Sequence, residues 1–232
     1  MTENDEITEL ALTNRQAVLI PPERLKEYIP VVIGVGNVGH QVALMLAKMG
    51  AKNVILVDPD VIGPENVYPQ GYALGSLGLH KVTACVDEML GYIPDEHDIK
   101  TGPDKFNPAT HLPDDTSNVV IFCCVDSMAT RGEIFRDTII DRGCPLFVDG
   151  RVGGETLQVF AVTPETYYEY AATLFPDSEA NVAPCGARAT IYTGTIAAGF
   201  MVHQFAAFLR GLKPISRMEL TLCDHDISIP EF

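Results

Sequence analysis

Three glycines, Gly34, Gly36 and Gly39, are spaced G-x-G-x-x-G between an apolar run, Val31-Val32-Ile33, and a segment with helical periodicity. Glycines at that spacing permit a tight turn and let the backbone approach a phosphate, while the start of the helix adds partial positive charge. Asn37 lies inside the turn, and Asp58 ends the next apolar run, Val54–Val57, about twenty residues on. A carboxylate there can accept from ribose hydroxyls. The motif alone does not separate a dinucleotide from ATP, and its glycines also suit plain close packing of helix on sheet. Two further features bear on the choice. Asp58-Pro59-Asp60 continues into a polar excursion through Asn66 to Gln70, and Lys81 and Asp126 fall at a helix start and after a strand-like run. A lysine neutralises phosphate charge and an aspartate holds Mg²⁺, a pair that ATP chemistry needs and a nicotinamide site does not. The competing assignments are a solvated lysine for Lys81 and a helix N-cap for Asp126.

These residues need a frame that brings strand ends together. Val31–Ile33, Val54–Val57, Val119–Cys124 and Leu146–Val148 are continuous apolar runs, the pattern of parallel strands buried on both faces. Helical periodicity fills the gaps: Val38, Val42, Met45, Leu46 and Met49 share one side of a helix ended by Gly50, and further helices are predicted over 79–90, 129–142 and 189–211. A short helix opens at Pro21-Pro22, a strand is predicted near 97–101, and strands over 155–162 and 218–222 close the chain. Residues 59–77 and 163–187 read as long irregular excursions, and such loops usually carry function. Alternation of this kind predicts an α/β, Rossmann-like, doubly wound, mostly parallel sheet with antiparallel C-terminal strands. The domain reading is a polar N-terminal arm over residues 1–20 and one domain over 21–232.

The 232 residues carry 16 Lys and Arg against 31 Asp and Glu, a net charge of -15. That balance argues against a nucleic-acid footprint, which needs clustered cations. It leaves room for a phosphate held by backbone N–H groups. The apolar stretch 191–209 is broken by Thr193, Thr195, His203 and Gln204, so it reads as a buried helix and not as a membrane span. None of the six cysteines is spaced C-x-x-C, so no structural zinc is expected, and they read as reduced thiols of a cytoplasmic protein.

In this order the motifs resemble the ThiF/MoeB/HesA family and the adenylation domains of ubiquitin-activating enzymes. The carriers are Gly34 to Gly39, Asp58-Pro59-Asp60, Asn66-Val67-Tyr68-Pro69-Gln70, Gly78-Leu79-His80-Lys81, Asp126-Ser127 with Arg131, the run Gly150–Phe160, and Asn14-Arg15-Gln16. The resemblance spans residues 14 to 222. It implies ATP bound by the glycine turn, Asn37, Asp60 and Gln70, with Asp58 on the ribose, Asn66 and Lys81 on the phosphates, and Asp126 placing Mg²⁺. It implies a homodimer in which Arg15 reaches the neighbouring subunit's phosphates. The implied reaction adenylates the C-terminal carboxylate of a small ubiquitin-like, β-grasp protein ending in Gly-Gly. Cys185, beside Arg188 and before a helix, is the implied thioester cysteine, with a structural thiol as the alternative. One departure stands out: the family's arginine before Gln70 is Pro69, and Arg188, Arg131 or Arg151 must compensate if the activity is kept. Other readings are a nucleotide-binding scaffold without catalysis, or adenylation of a peptide or a tRNA.

Overall fold

Strand-forming runs alternate with amphipathic helical ones, and the chain folds accordingly. A computed structural model describes residues 15–93, 97–176, 178, 190–224 and 226–229. Helix α1 (Pro22–Glu27) leads into β1 (Ile29–Ile33), α2 (Asn37–Met49) and β2 (Asn53–Val57). A short turn of helix, α3 (Val67–Gln70), precedes α4 (Lys81–Met89) and β3 (Asp98–Gly102). Then come α5 (Pro108–His111), β4 (Val119–Cys123), α6 (Met128–Phe135), β5 (Leu146–Gly153), β6 (Thr156–Val162) and α7 (Tyr167–Ala171). The long helix α8 (Ile191–Leu209) and the strands β7 (Arg217–Thr221) and β8 (Asp226–Ser228) finish the described chain.

One eight-stranded sheet runs in the order β3-β2-β1-β4-β5-β6-β7-β8. The strands from β3 to β5 are parallel, and β5 to β8 pair antiparallel. The predicted architecture is therefore present, mostly parallel with antiparallel C-terminal strands. Alternate side chains of each strand enter different cores. Val32, Leu56, Val120, Phe122 and Val148 pack with α2, α4 and α8 on one face. Val31, Ile33, Val57, Ile121 and Phe147 pack with α6 and α7 on the other. Burial on both faces is why these strands read as unbroken apolar runs.

The chain leaves β1 toward β2 and β3, then returns to the opposite side of β1 as β4. Such a reversal opens a crevice at the carboxyl ends of β1 and β4. The loops there are stitched to the sheet: Gly34 N–H donates to the Val57 carbonyl and Cys124 N–H to the Ile33 carbonyl, both at 2.8 Å. Among the described residues no helix is long and apolar enough to cross a membrane.

Several elements differ from the sequence reading. β5 runs five residues past its apolar core, because the antiparallel ladder with β6 continues to Gly153 opposite Thr156. The helix predicted over 129–142 changes to a π-helical turn at Arg136–Ile140. The excursion 59–77 is not irregular throughout, since it holds helical turns at Pro64–Asn66, α3 and Leu74–Ser76. It folds back on itself through Ile62 N–H to Leu79 O, Gly78 N–H to Ile62 O and Lys81 N–H to Asp60 O. β8 and α5 carry too few apolar residues to show a period and were not predicted.

Candidate functional site

The glycine turn shows what each glycine does. Gly34 has φ +85°, and a Cβ on it would lie 2.8 Å from the Cys124 carbonyl oxygen. A Cβ on Gly39 would strike the Gly34 carbonyl. Both glycines are therefore explained by packing alone. Gly36 is different: its Cβ would meet only the Gln70 side chain, at an ordinary 3.8 Å. Gly36 is the N-cap of α2, and no side chain caps that helix. Its first-turn amides have no side-chain acceptor, which suits an anion.

Gly34→Ala is expected to lose about 1–2 kcal/mol or more of stability from the left-handed backbone alone. Gly36→Ala is expected to melt near wild type and to weaken nucleotide binding instead. Thermal melts and calorimetry with a non-hydrolysable ATP analogue separate the two, and equal destabilisation in both would refute the assignment.

Asp58, 5% exposed, follows β2 and holds the turn. One carboxylate oxygen accepts from Val35 N–H at 2.6 Å and the other from Asp60 N–H at 2.8 Å. Burial raises its pKa above the ordinary 3.8, against the lowering effect of these N–H groups and of Lys81. Each oxygen keeps a further lone pair for a ligand hydroxyl. Lys81, at the start of α4, is itself buried, and its ammonium sits 2.7 Å from an oxygen of Asp60, whose side chain is 61% exposed.

A cavity of about 760 Å³ lies over this end of the sheet. Gly34, Gly36, Asn37, Asp58, Asp60, Gln70, Lys81 and Asp126 all line it. The structure thus brings together most of the residues picked from sequence. Its walls run from the turn after β3 to the end of β5, four strand spacings of about 4.8 Å, or about 19 Å. At the β3 end stand Asp104, Lys105 and Phe106, and α6 adds Thr130, Glu133 and Ile134, with Asp137 from the π turn. None of these was picked from sequence. The helical trio has the spacing of one helix face, the signal that could have shown it; the turn after β3 has no such signal.

Other expectations are corrected. Asn66 is outside the cavity lining, and its side-chain oxygen accepts from Gly63 N–H at 2.9 Å. Asp126 is not the N-cap of α6; Ser127 is, its hydroxyl accepting from Thr130 N–H at 3.2 Å. That leaves Asp126 exposed at the cavity. Arg131 and Arg151 do not compensate for Pro69, because both guanidinium groups are paired with the buried Asp149, at 2.6 and 2.7 Å. Arg188 and Cys185 lie outside the described residues. The lysines lining the cavity, among the described residues, are Lys81 and Lys105. Pro69 keeps a backbone role: the Asn37 side-chain amide donates to its carbonyl, and to that of Thr190 at 3.1 Å.

Arg15 is exposed and does not line the cavity. The neighbouring Gln16 donates to the carbonyls of Lys48 and Met49, at the far end of α2. Thirteen helical residues at about 1.5 Å each put that end about 20 Å from the glycine turn. The cysteines divide. Cys85, Cys123 and Cys144 are buried, and burial pushes Cys123 up to about 12 and Cys144 to about 11. Cys124 is half-buried and lines the cavity, and Cys223 is exposed.

The ThiF family model matches residues 14–226. The chain belongs to the ThiF family. Curated relatives include ubiquitin-like modifier-activating enzyme 5 of Caenorhabditis elegans, 32% identical over 95 residues, which are 41% of this chain and 23% of that protein. The Oryza sativa subsp. japonica enzyme of the same name is 25% identical over the same lengths. The matched stretch is thus under a quarter of these relatives. Among solved structures, PaaA superposes with a TM-score of 0.75 at 19% identity, covering 100% of this chain and 84% of its own. Escherichia coli MccB with ATP gives a TM-score of 0.71 at 16% identity, covering 92% and 66%. At such identities the structural likeness establishes the Rossmann-like fold of this ThiF-family member.

Proposed function

We propose that the protein is an ATP-dependent adenylyltransferase acting on the C-terminal carboxylate of a small ubiquitin-like protein. The observation that carries the reading is the convergence of Gly36, Lys81 and Asp126 on one cavity at the sheet's switch point. ThiF-family membership and the relatives' name, ubiquitin-like modifier-activating enzyme, support the substrate class. A carboxylate oxygen attacks the α-phosphorus of ATP, the new O–P bond forms, the bond to the β-phosphate oxygen breaks, and pyrophosphate leaves. The protein's work is to align the two reactants and stabilise charge.

Roles follow from placement. The open amides of α2 and the gap at Gly36 receive phosphates, the spare lone pairs of Asp58 receive the ribose, and Lys81 neutralises the triphosphate. Among the described residues six carboxylates and two lysines line the cavity, so a triphosphate entering it needs added countercharge. Among the described residues no cluster of three His, Cys, Asp or Glu forms a metal site by itself. A lone carboxylate plus phosphate oxygens is a common way to hold magnesium, and Asp126 fits that part. Mg²⁺ there would supply the countercharge. The proposed assembly is a homodimer in which Arg15, too far from its own glycine turn, serves the partner's cavity. Cys185 is the proposed acyl acceptor of a later step, and the proposed setting is the cytoplasm.

Pyrophosphate exchange into ATP, dependent on an added β-grasp protein ending in Gly-Gly, tests the reading. Asp126→Ala is expected to lower that exchange about 10²–10³-fold with an unchanged melting curve. Near-wild-type exchange in that variant would remove Asp126 from the site. The likeness to MccB, crystallised with ATP and with MccA, motivates a short peptide as the second substrate in the same assay. Nucleotide binding with no exchange for either substrate would favour a scaffold, the outcome that Pro69 points to.

A further inference from the structure

His40 lies one residue after the glycine turn, fully buried, and no step above uses it. Its Nδ1 is 2.8 Å from the Gln70 carbonyl oxygen. A carbonyl only accepts, so Nδ1 carries the proton in this contact. Its Nε2 is 3.4 Å from a Glu88 carboxylate oxygen on α4. The ring stacks on Tyr72, centroids 4.2 Å apart and planes within 13°. The Tyr72 hydroxyl in turn donates to the carbonyl of Val35, inside the glycine turn, at 2.6 Å. One imidazole therefore ties α2 to the segment 70–72, through Nδ1 and the stacked ring, while its Nε2 has no hydrogen-bond partner among the described residues. That segment presents Gln70, whose side chain lies against Gly36 and lines the cavity.

We propose that His40 is a positioning residue for nucleotide binding: it clamps the segment Gln70–Tyr72 so that Gln70 closes the cavity over Gly36. The proposal rests on the adenylation reading for its ligand but not for the clamp itself. Loss of the clamp loosens one wall of the nucleotide site and leaves Lys81 and Asp126 in place. Its signature is a raised KM for ATP with little change in kcat.

The test compares His40→Leu, which cannot donate, with His40→Asn, whose side-chain amide can donate near the Nδ1 position. Binding of a non-hydrolysable ATP analogue is followed by calorimetry, and amide hydrogen exchange is followed over residues 70–72. His40→Leu is expected to weaken binding about 10-fold, the usual scale for a buried hydrogen bond lost with its partner left unsatisfied. Exchange at 70–72 is expected to rise, and His40→Asn is expected to restore most of both. Equal loss in the two variants, or wild-type behaviour in His40→Leu, would overturn the clamp. If His40→Leu does not fold, Tyr72→Phe decides instead, since it keeps the ring stacked on His40 and loses only the hydroxyl, with its bond to the Val35 carbonyl. It is expected to weaken analogue binding about 3-fold, and unchanged binding would overturn the proposal. A wild-type protein that binds no ATP analogue sinks the adenylation reading and the nucleotide-positioning role with it, while the exchange data still decide whether His40 holds the segment in place.

Discussion

Lys81→Ala is expected to remove ATP–pyrophosphate exchange to background, a loss of at least about 10²–10³-fold, while the fold survives. Lys81 is a buried cation beside two cavity carboxylates, Asp58 and Asp60, and its ammonium contacts Asp60 at 2.7 Å. Removing it takes one positive charge from the cavity and frees the Asp60 charge where the proposed reading seats the phosphates. Both changes oppose a triphosphate, so the effect on the reaction is large. The fold survives because Asp60 is largely exposed and stays hydrated once its partner is gone, so the stability loss is confined to the packing of the buried lysine stem. The backbone contact of the turn, Lys81 N–H to Asp60 O at 3.0 Å, does not depend on the side chain. Lys81→Met, which keeps the buried stem, serves as the packing control and is expected to be equally inactive. Exchange assays and thermal melts on both variants are the measurement. Substantial exchange in Lys81→Met would mean that the ammonium is not part of the chemistry.

How far such residues were legible in sequence follows from what each signal depends on. The glycine turn, Asp58, Lys81 and Asp126 sit at or just beyond the ends of β1, β2 and β4 or at the start of α4, and strand ends are visible wherever apolar runs stop. A doubly wound sheet brings such ends to one edge, so their meeting in one cavity followed from topology. The fold itself was legible because strands buried on both faces must be continuously apolar. Lys105 and Phe106 were not legible. They lie in a turn after β3, an edge strand with exposed residues and little apolar signal. Arg131 and Arg151 were misjudged for a related reason. A sequence shows a cation but not its partner, and the partner is Asp149, at the end of the β5 apolar run. His40 was hidden by its helical setting: a polar residue on an apolar face gives no hint of the Gln70 carbonyl thirty residues away.

Asp149 itself is the residue whose loss should cost the fold most. It is fully buried and accepts three hydrogen bonds on one carboxylate. Arg131 Nε donates to one oxygen at 2.6 Å, Arg151 Nε to the other at 2.7 Å, and the Tyr170 hydroxyl to the latter at 2.9 Å. Burial, the largest single effect, would pull the Arg131 guanidinium pKa down, but the Asp149 charge, its hydrogen bond and the neighbouring Cys123 and Tyr170 together outweigh it, and the net shift is upward. The arginines reach onward, Arg131 to the Val125 carbonyl at 2.6 Å and Arg151 to Thr173 at 2.9 and 3.0 Å. Asp149→Ala would strand two cations in a closed site, a change that typically costs about 3–5 kcal/mol. For a chain of this size that is a fall in Tm of about 6–20 °C. Urea unfolding and thermal melts measure it, and a loss below about 1 kcal/mol would mean that water reaches the arginines. Replacing Arg131 and Asp149 together, by Met and Leu, removes one cation with the anion and should recover part of the loss, since a buried ion pair exchanged for apolar volume is often close to neutral. Activity should not recover in parallel. Arg131 anchors the carbonyl of Val125, the residue before Asp126, so the double variant frees the loop on which the proposed magnesium ligand stands. Restored stability without restored exchange would show that this buried network serves the site as well as the fold.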